Sequence, residues 1–177
     1  HFMTYHNSGH HRDVATPNDL TTAKKGDIFY VFAIKSQIGG YFKTWKLEAE
    51  KLKLKGKSQL LNAMIIHTIL PWSMIAGIFF IFGFKVALLY FLASVFGISI
   101  LEAQNYFSHY GLTRKQKEDG TYENVKAVHS WNSDHILGRI ILFELTRNSD
   151  HHYMGGKAYQ ILESKEESPM LPYGYPA

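Results

Sequence analysis

Six histidines stand in three short groups, each with a spacing that suits metal ligation. The first group reads Tyr5-His6-Asn7-Ser8-Gly9-His10-His11. The second, Asn105-Tyr106-Phe107-Ser108-His109-Tyr110-Gly111, closes a long apolar run. The third reads Arg147-Asn148-Ser149-Asp150-His151-His152. Cysteine is absent, so any metal must be held by nitrogen or oxygen. Imidazole suits iron, zinc and copper. Six candidate ligands are more than one closed tetrahedral zinc needs, and a dinuclear site is the simpler account. On an α-helix His6 and His10, four apart, share a face. His11 is turned by about 100° from His10 and would face a neighbouring metal. Gly9 would let another backbone approach closely. Asp150 is a natural carboxylate to orient a ligand histidine, and Asp134 a weaker one. His67 lies within an apolar run and is read as a lone histidine. His1, His129 and His135 are read as hydrogen-bonded residues rather than ligands.

The elements that would position these groups follow from the charge and hydropathy pattern. Leu60 to Phe84 carries no formal charge over 25 residues, enough for a spanning helix of roughly 20 residues. Pro71 would kink it, which membrane helices tolerate. Val86 to Leu101 is apolar again and runs on through Glu102, Gln104 and Asn105 to His109. The spacing predicts transmembrane helices over 60–84 and 86–105, joined by a short turn at Gly83-Phe84-Lys85. Nine lysines against three acids between Lys24 and Ser58 place that side at the cytoplasm or matrix. His6, His10 and His11 precede the first span on that side. His109 sits where the hairpin returns, and no further long apolar run intervenes before His151 and His152. All six can therefore meet on one side of a bilayer.

Lys+Arg number 19 and Asp+Glu 15, a mild basic excess that with no basic-aromatic pattern gives no nucleic-acid signal. The length allows a single domain. No signal peptide is read at the start, and residues 1 to 12 read as the end of a helix begun upstream. Thr16-Pro17-Asn18-Asp19 reads as a turn. Gly39-Gly40 punctuates an apolar stretch, and Tyr41 to Lys57 reads as an amphipathic, lysine-rich helix. Trp131 to Leu145 has a helical apolar pattern. Glu102 and Gln104 are costly near a membrane exit without a partner, and either could bond a ligand histidine or a neighbouring helix. Gly77, Gly83 and Gly97 read first as tight helix packing, second as room for an alkyl chain.

These motifs, in this order, resemble the membrane alkane 1-monooxygenases within the wider membrane fatty-acid desaturase and hydroxylase superfamily. The likeness covers nearly the whole chain. It includes Tyr5 to His11 followed by Val14-Ala15-Thr16-Pro17, then Asn105 to Leu112, His129-Ser130-Trp131-Asn132-Ser133, Leu145 to His152 and Leu171 to Pro176. The resemblance implies an all-α integral membrane bundle: one desaturase/hydroxylase-like domain over 1–177 with its histidine cluster on the cytoplasmic or matrix side of a bacterial inner or organelle membrane. It implies two iron ions held by nine histidines, of which His6, His10, His11, His109, His151 and His152 are carried over. It implies oxygen-dependent hydroxylation of an alkane or fatty alkyl chain, with electrons from a rubredoxin-type or ferredoxin-type donor. The expected partners are membrane lipid and the alkyl substrate, with membrane subunits possible and no nucleic acid.

The chain departs from the pattern at named positions. Asn148 stands where the family has a ligand histidine, and could bind through its oxygen or hold a water. Tyr5 and Ser108 replace glutamates that precede ligand histidines. The earlier motif that supplies two more histidines is absent, as expected if sequence lies upstream. The alternatives are a non-catalytic structural subunit or a lipid desaturase.

Overall fold

The computed structural model describes residues 1–175, so Pro176 of the terminal motif lies outside the described residues. Among these residues there is no strand, and only isolated bridges pair Gln116 with Tyr122 and Asn132 with Met170. The chain begins in one unbroken helical run: α1 (Phe2–Tyr5), a π-helical turn (His6–His10) and α2 (His11–Asp13). A loop through Asp19 leads to the long α3 (Phe29–Leu54).

Gly39-Gly40 does not divide this segment. One helix runs through both glycines, because the missing side chains admit neighbours rather than break the backbone. Leu20 packs so close to Gly39 that a Cβ there would lie 3.0 Å from its Cδ1. The buried face of α3 is Phe32, Ser36, Gly40, Thr44, Glu48 and Leu52, each four residues from the last, the spacing at which helical side chains stack. Its lysines fall outside this stripe.

Two apolar helices follow, α4 (Ala63–Phe82) and α5 (Phe84–His109), each long enough to cross a bilayer. Asn62 caps α4 by accepting the Met64 N–H at 2.9 Å. The connection is Gly83 alone, at φ +82° and ψ 174°, a backbone shape that side chains disfavour. The turn therefore ends before Lys85, which lies in the first turn of α5. The apolar surface of the hairpin is outward: Phe80 is 82% exposed and Phe96 68%. A hairpin built as a soluble core would bury such residues. Gly77 and Gly97 have open space where a Cβ would stand, so neither packs closely against a helix among the described residues.

Beyond α5 the chain is mostly loop, with α6 (Ile136–Ile141) and α7 (Asn148–Tyr153). The helix expected over Trp131 to Leu145 shrinks to six residues. Its start waits until after His135, because Ser133 N–H bonds the Thr146 carbonyl instead. Its end comes where Phe143 and Glu144 adopt positive φ. There Glu144 turns back to Arg139, at 2.7 Å between Oε2 and Nε.

One extended segment ties these parts together. Trp131 N–H donates to the Ser108 carbonyl at 2.8 Å, on the last turn of α5. Asn132 Oδ1 accepts the Ser149 N–H at 2.9 Å, on the first turn of α7. The second bond is buried in the protein, where an unmade polar contact is costly. The end of α5 and the start of α7 are thereby fixed together, and with them His109 and His152.

Candidate metal centre

The helical run at the start of the chain supplies three histidines, and its irregular turn decides how they group. Within His6–His10 the helix widens, and the His11 N–H bonds the His6 carbonyl five residues back. Such π turns occur frequently at functional sites. Residues five apart now align, so His6 pairs with His11, their Nε2 atoms 3.1 Å apart. The expected pairing of His6 with His10 on one α-helical face is corrected by this widening. His10 turns instead to α7, its Nε2 3.2 Å from that of His152.

The result is two clusters of three. His6, His11 and His151 form one; His10, His109 and His152 form the other. Within each, one nitrogen per ring lies within 4.8 Å of the others. His6 Nε2 has the Nε2 atoms of both His11 and His151 beside it, at 3.1 and 3.2 Å. One ring nitrogen offers a single proton or a single lone pair, so hydrogen bonding cannot satisfy both neighbours. A cation at the focus satisfies all three. Imidazole–metal bonds of about 2.1 Å place neighbouring nitrogens about 3.0–3.4 Å apart, and these spacings fit. The clusters share a wall: the His11 and His152 rings are 4.6 Å apart.

Burial separates them. His10, His109 and His152 are fully enclosed, whereas His6, His11 and His151 are half-buried. Burial, reinforced by neighbouring histidines, pushes His11 down to about 4 and His6 still lower. Burial also lowers His151, and lowers His152 well below the ordinary imidazole value. These rings are neutral at neutral pH, the form that binds a metal.

Two rings of the buried cluster are oriented by protein groups, whereas His152 Nδ1 has no partner among the described residues. His10 Nδ1 lies 2.7 Å from Asp19 Oδ2. Burial pushes the Asp19 carboxyl up, but the His10 ring and the Thr22 hydroxyl outweigh it and hold it below the usual range. His109 Nδ1 donates to the His129 carbonyl at 3.3 Å. His129 thus acts through its backbone; its own Nδ1 accepts the Lys126 N–H at 3.0 Å. Among the described residues no carboxylate touches His6, His11 or His151.

Asn148 joins the buried cluster, its Nδ2 3.2 Å from His109 Nε2. Turning the amide over places Oδ1 at the same point, and the chemistry of the site decides between the two orientations. Asn148 is thereby grouped with His109, not with His151. Asp150 is corrected: it does not orient His151 or His152. It bonds the Lys157 ammonium and the Glu163 N–H at 2.7 and 2.9 Å. On a single helical turn it points away from the rings that follow it. Asp134 pairs with Arg147. Ser108 bonds the Tyr175 hydroxyl and the Gln104 amide, while Glu102 takes Gln37 of α3. Gly9 is corrected too. What comes close is the Tyr5 ring, not a backbone: a Cβ would lie 2.6 Å from Tyr5 Cε2. His1 packs edge-on against Tyr41, and His67 is exposed on α4. In the sequence Asp19 shows only as part of a turn; its further signal is an acid followed by Thr21 and Thr22, in a loop that folds back on the first histidine group.

Two apolar cavities lie along α5. The larger, about 620 Å³, is lined by Phe29, Phe96, Ile100, Phe107, Leu142 and Tyr175 among others. The smaller, about 410 Å³, lies between α4 and α5 at Trp72, Phe79 and Phe91. No cluster histidine lines either.

The fatty acid desaturase family model matches residues 1–176. The chain belongs to this family. It is similar to the alkane 1-monooxygenase of Ectopseudomonas oleovorans, 42% identical over 99% of this chain and 44% of the relative. Alkane 1-monooxygenase of Pseudomonas putida is 40% identical over the same shares. The hydroxylase component of a xylene/toluene monooxygenase from Pseudomonas putida is 28% identical over 94% of the chain. The chain spans less than half the length of these curated relatives.

Proposed function

We propose that this chain is the metal-binding portion of a membrane monooxygenase that hydroxylates an alkane or fatty alkyl chain. The observation that carries the reading is the pair of three-histidine clusters sharing one wall, in a chain similar to alkane 1-monooxygenases. The metal is two non-haem irons, one per cluster. Their chemistry, when bound, is the reduction of dioxygen and oxidation of a C–H bond, for which imidazole and oxygen ligands suit iron.

The chain's own residues hold and orient. His6, His11 and His151 form the half-buried seat. His10, His109 and His152 form the enclosed one, with the Asn148 oxygen as a weaker fourth donor. Asp19 and the His129 carbonyl set the tautomers of His10 and His109 by accepting their Nδ1 protons. The enclosed cluster excludes water, which strengthens every charge interaction inside it. The helices α4 and α5 form a transmembrane hairpin that presents an apolar face to lipid, from which an alkyl chain enters. The electron donor is a rubredoxin-type or ferredoxin-type protein on the lysine-rich side of a bacterial inner or organelle membrane.

The test is metal analysis and turnover of the full-length protein in lipid nanodiscs. The expected result is two irons per chain and alcohol formed from an n-alkane with oxygen consumed. Metal-free protein with no turnover favours a structural subunit, and alkene product favours a desaturase. Labelling of single cysteines at positions 51 and 85 is expected on opposite faces of the membrane; both on one face would remove the hairpin.

A further inference from the structure

We infer that Asp19 is a positioning residue that commits His10 to the enclosed cluster, and that Tyr5 holds Asp19 in place. The inference rests on the metal reading above and assigns a task to two residues that reading does not require. Asp19 is 5% exposed, and both its oxygens are fully engaged. Oδ2 receives His10 Nδ1 at 2.7 Å and the Thr22 hydroxyl at 2.6 Å. Oδ1 receives the Tyr5 hydroxyl at 3.1 Å, the Thr21 hydroxyl at 2.8 Å and the Thr21 N–H at 3.1 Å. A carboxylate held by five donors can neither rotate nor swing inward to take a metal itself. As an acceptor only, it requires the proton on His10 Nδ1, and the Thr21 hydroxyl, which gives its own proton to Asp19, turns its oxygen to the same nitrogen at 2.6 Å. The Nε2 lone pair is then fixed toward His152, 3.2 Å away.

Tyr5 completes this arrangement from the turn before His6. Its hydroxyl donates to Asp19 and accepts the Leu20 N–H at 3.0 Å, which closes the Asp19 loop onto α1. Tyr5 has no carboxylate of its own and reaches His10 through that of Asp19. No other carboxylate among the described residues touches a cluster histidine, and the only cluster histidine that Asp19 hydrogen-bonds there is His10.

The experiment is a cobalt(II) titration of the full-length apo protein in detergent, followed by visible absorption. His6→Ala and His10→Ala assign the two binding phases, one to each cluster. Asp19→Asn, of the same shape but donating where the carboxylate accepted, is expected to weaken the His10 phase 10–100-fold and leave the His6 phase unchanged. Tyr5→Phe and Thr22→Val each remove one donor and are expected to weaken the same phase by less. A merely structural role for Asp19 would weaken both phases together or lower thermal stability without altering either. Asp19→Asn with both phases unchanged, or both equally weakened, overturns the inference. If Asp19→Asn does not fold, Tyr5→Phe and Thr22→Val decide it by the same rule. Wild-type protein that takes up no cobalt removes the metal reading, and this inference with it.

Discussion

Two clusters of three histidines lie wall to wall and are made differently. The one formed by His10, His109 and His152 draws on three distant segments, is closed to solvent and has two of its rings steered, His10 by Asp19 and His109 by the His129 carbonyl. The one formed by His6, His11 and His151 draws two of its three rings from a single widened helical turn, stays half-open and among the described residues has no carboxylate behind it. The difference shows two ways of building the same donor set. Tertiary structure and second contacts make the first; one local backbone irregularity makes most of the second. The first is therefore the more preorganised seat, and the second the one with room for a further ligand or for solvent.

The largest expected effect is a clean separation of the two. His152→Ala removes a ligand from the enclosed cluster only. It is expected to cost that metal more than about 100-fold in affinity, the upper end of losses from weaker outer contacts, and to leave the other metal bound. His151→Ala is expected to do the reverse. Metal content after dialysis, by plasma mass spectrometry, reads one equivalent lost in each. If either variant empties both clusters, they are one cooperative site and the contrast between them is gone.

A smaller effect tests the turn that divides the histidines. Gly9→Ala would set a Cβ 2.6 and 2.8 Å from the Tyr5 ring. The ring must move, and its hydroxyl leaves Asp19. Overpacking of this kind costs about 1–3 kcal/mol, which should lower the denaturation midpoint in detergent. Cobalt binding should weaken at the enclosed cluster more than at the open one. Unchanged stability would show that Tyr5 is not clamped.

What the sequence showed, and what it hid, follows from the range of each cause. The histidines, the charge-free run from Leu60 to Phe84 and the lysine-rich flank are local patterns, and helices and donors could be read from them. The α3 helix through Gly39-Gly40 was hidden because glycine weakens a helix alone but strengthens it where Leu20 must come close. The regrouping of His6 with His11 was hidden because an i, i+5 bond depends on what packs against the turn. Asp19 was hidden because its partner, His10, lies across a loop. Asp150 is adjacent to His151 in sequence but not in contact with it, because helix geometry sends its carboxylate to Lys157.

The smallest effect concerns Asn148, which stands against His109 rather than His151. Its amide is 6% exposed and 3.2 Å from His109 Nε2. A carbonyl oxygen is a weaker ligand than imidazole for a first-row metal of this kind. It also lacks a second ring nitrogen through which outer groups could steer it. Asn148→His puts an imidazole in its place. The Asn132–Ser149 bond that fixes the first turn of α7 involves the backbone of the next residue and is untouched. Affinity at the enclosed cluster is expected to rise about tenfold, with the His6, His11 and His151 cluster unchanged. Tightening at both clusters would mean that Asn148 acts on the whole site. Weakening accompanied by a lower denaturation midpoint would mean that the pocket around His109 is already full, and that in this chain the small amide is part of how the enclosed cluster closes.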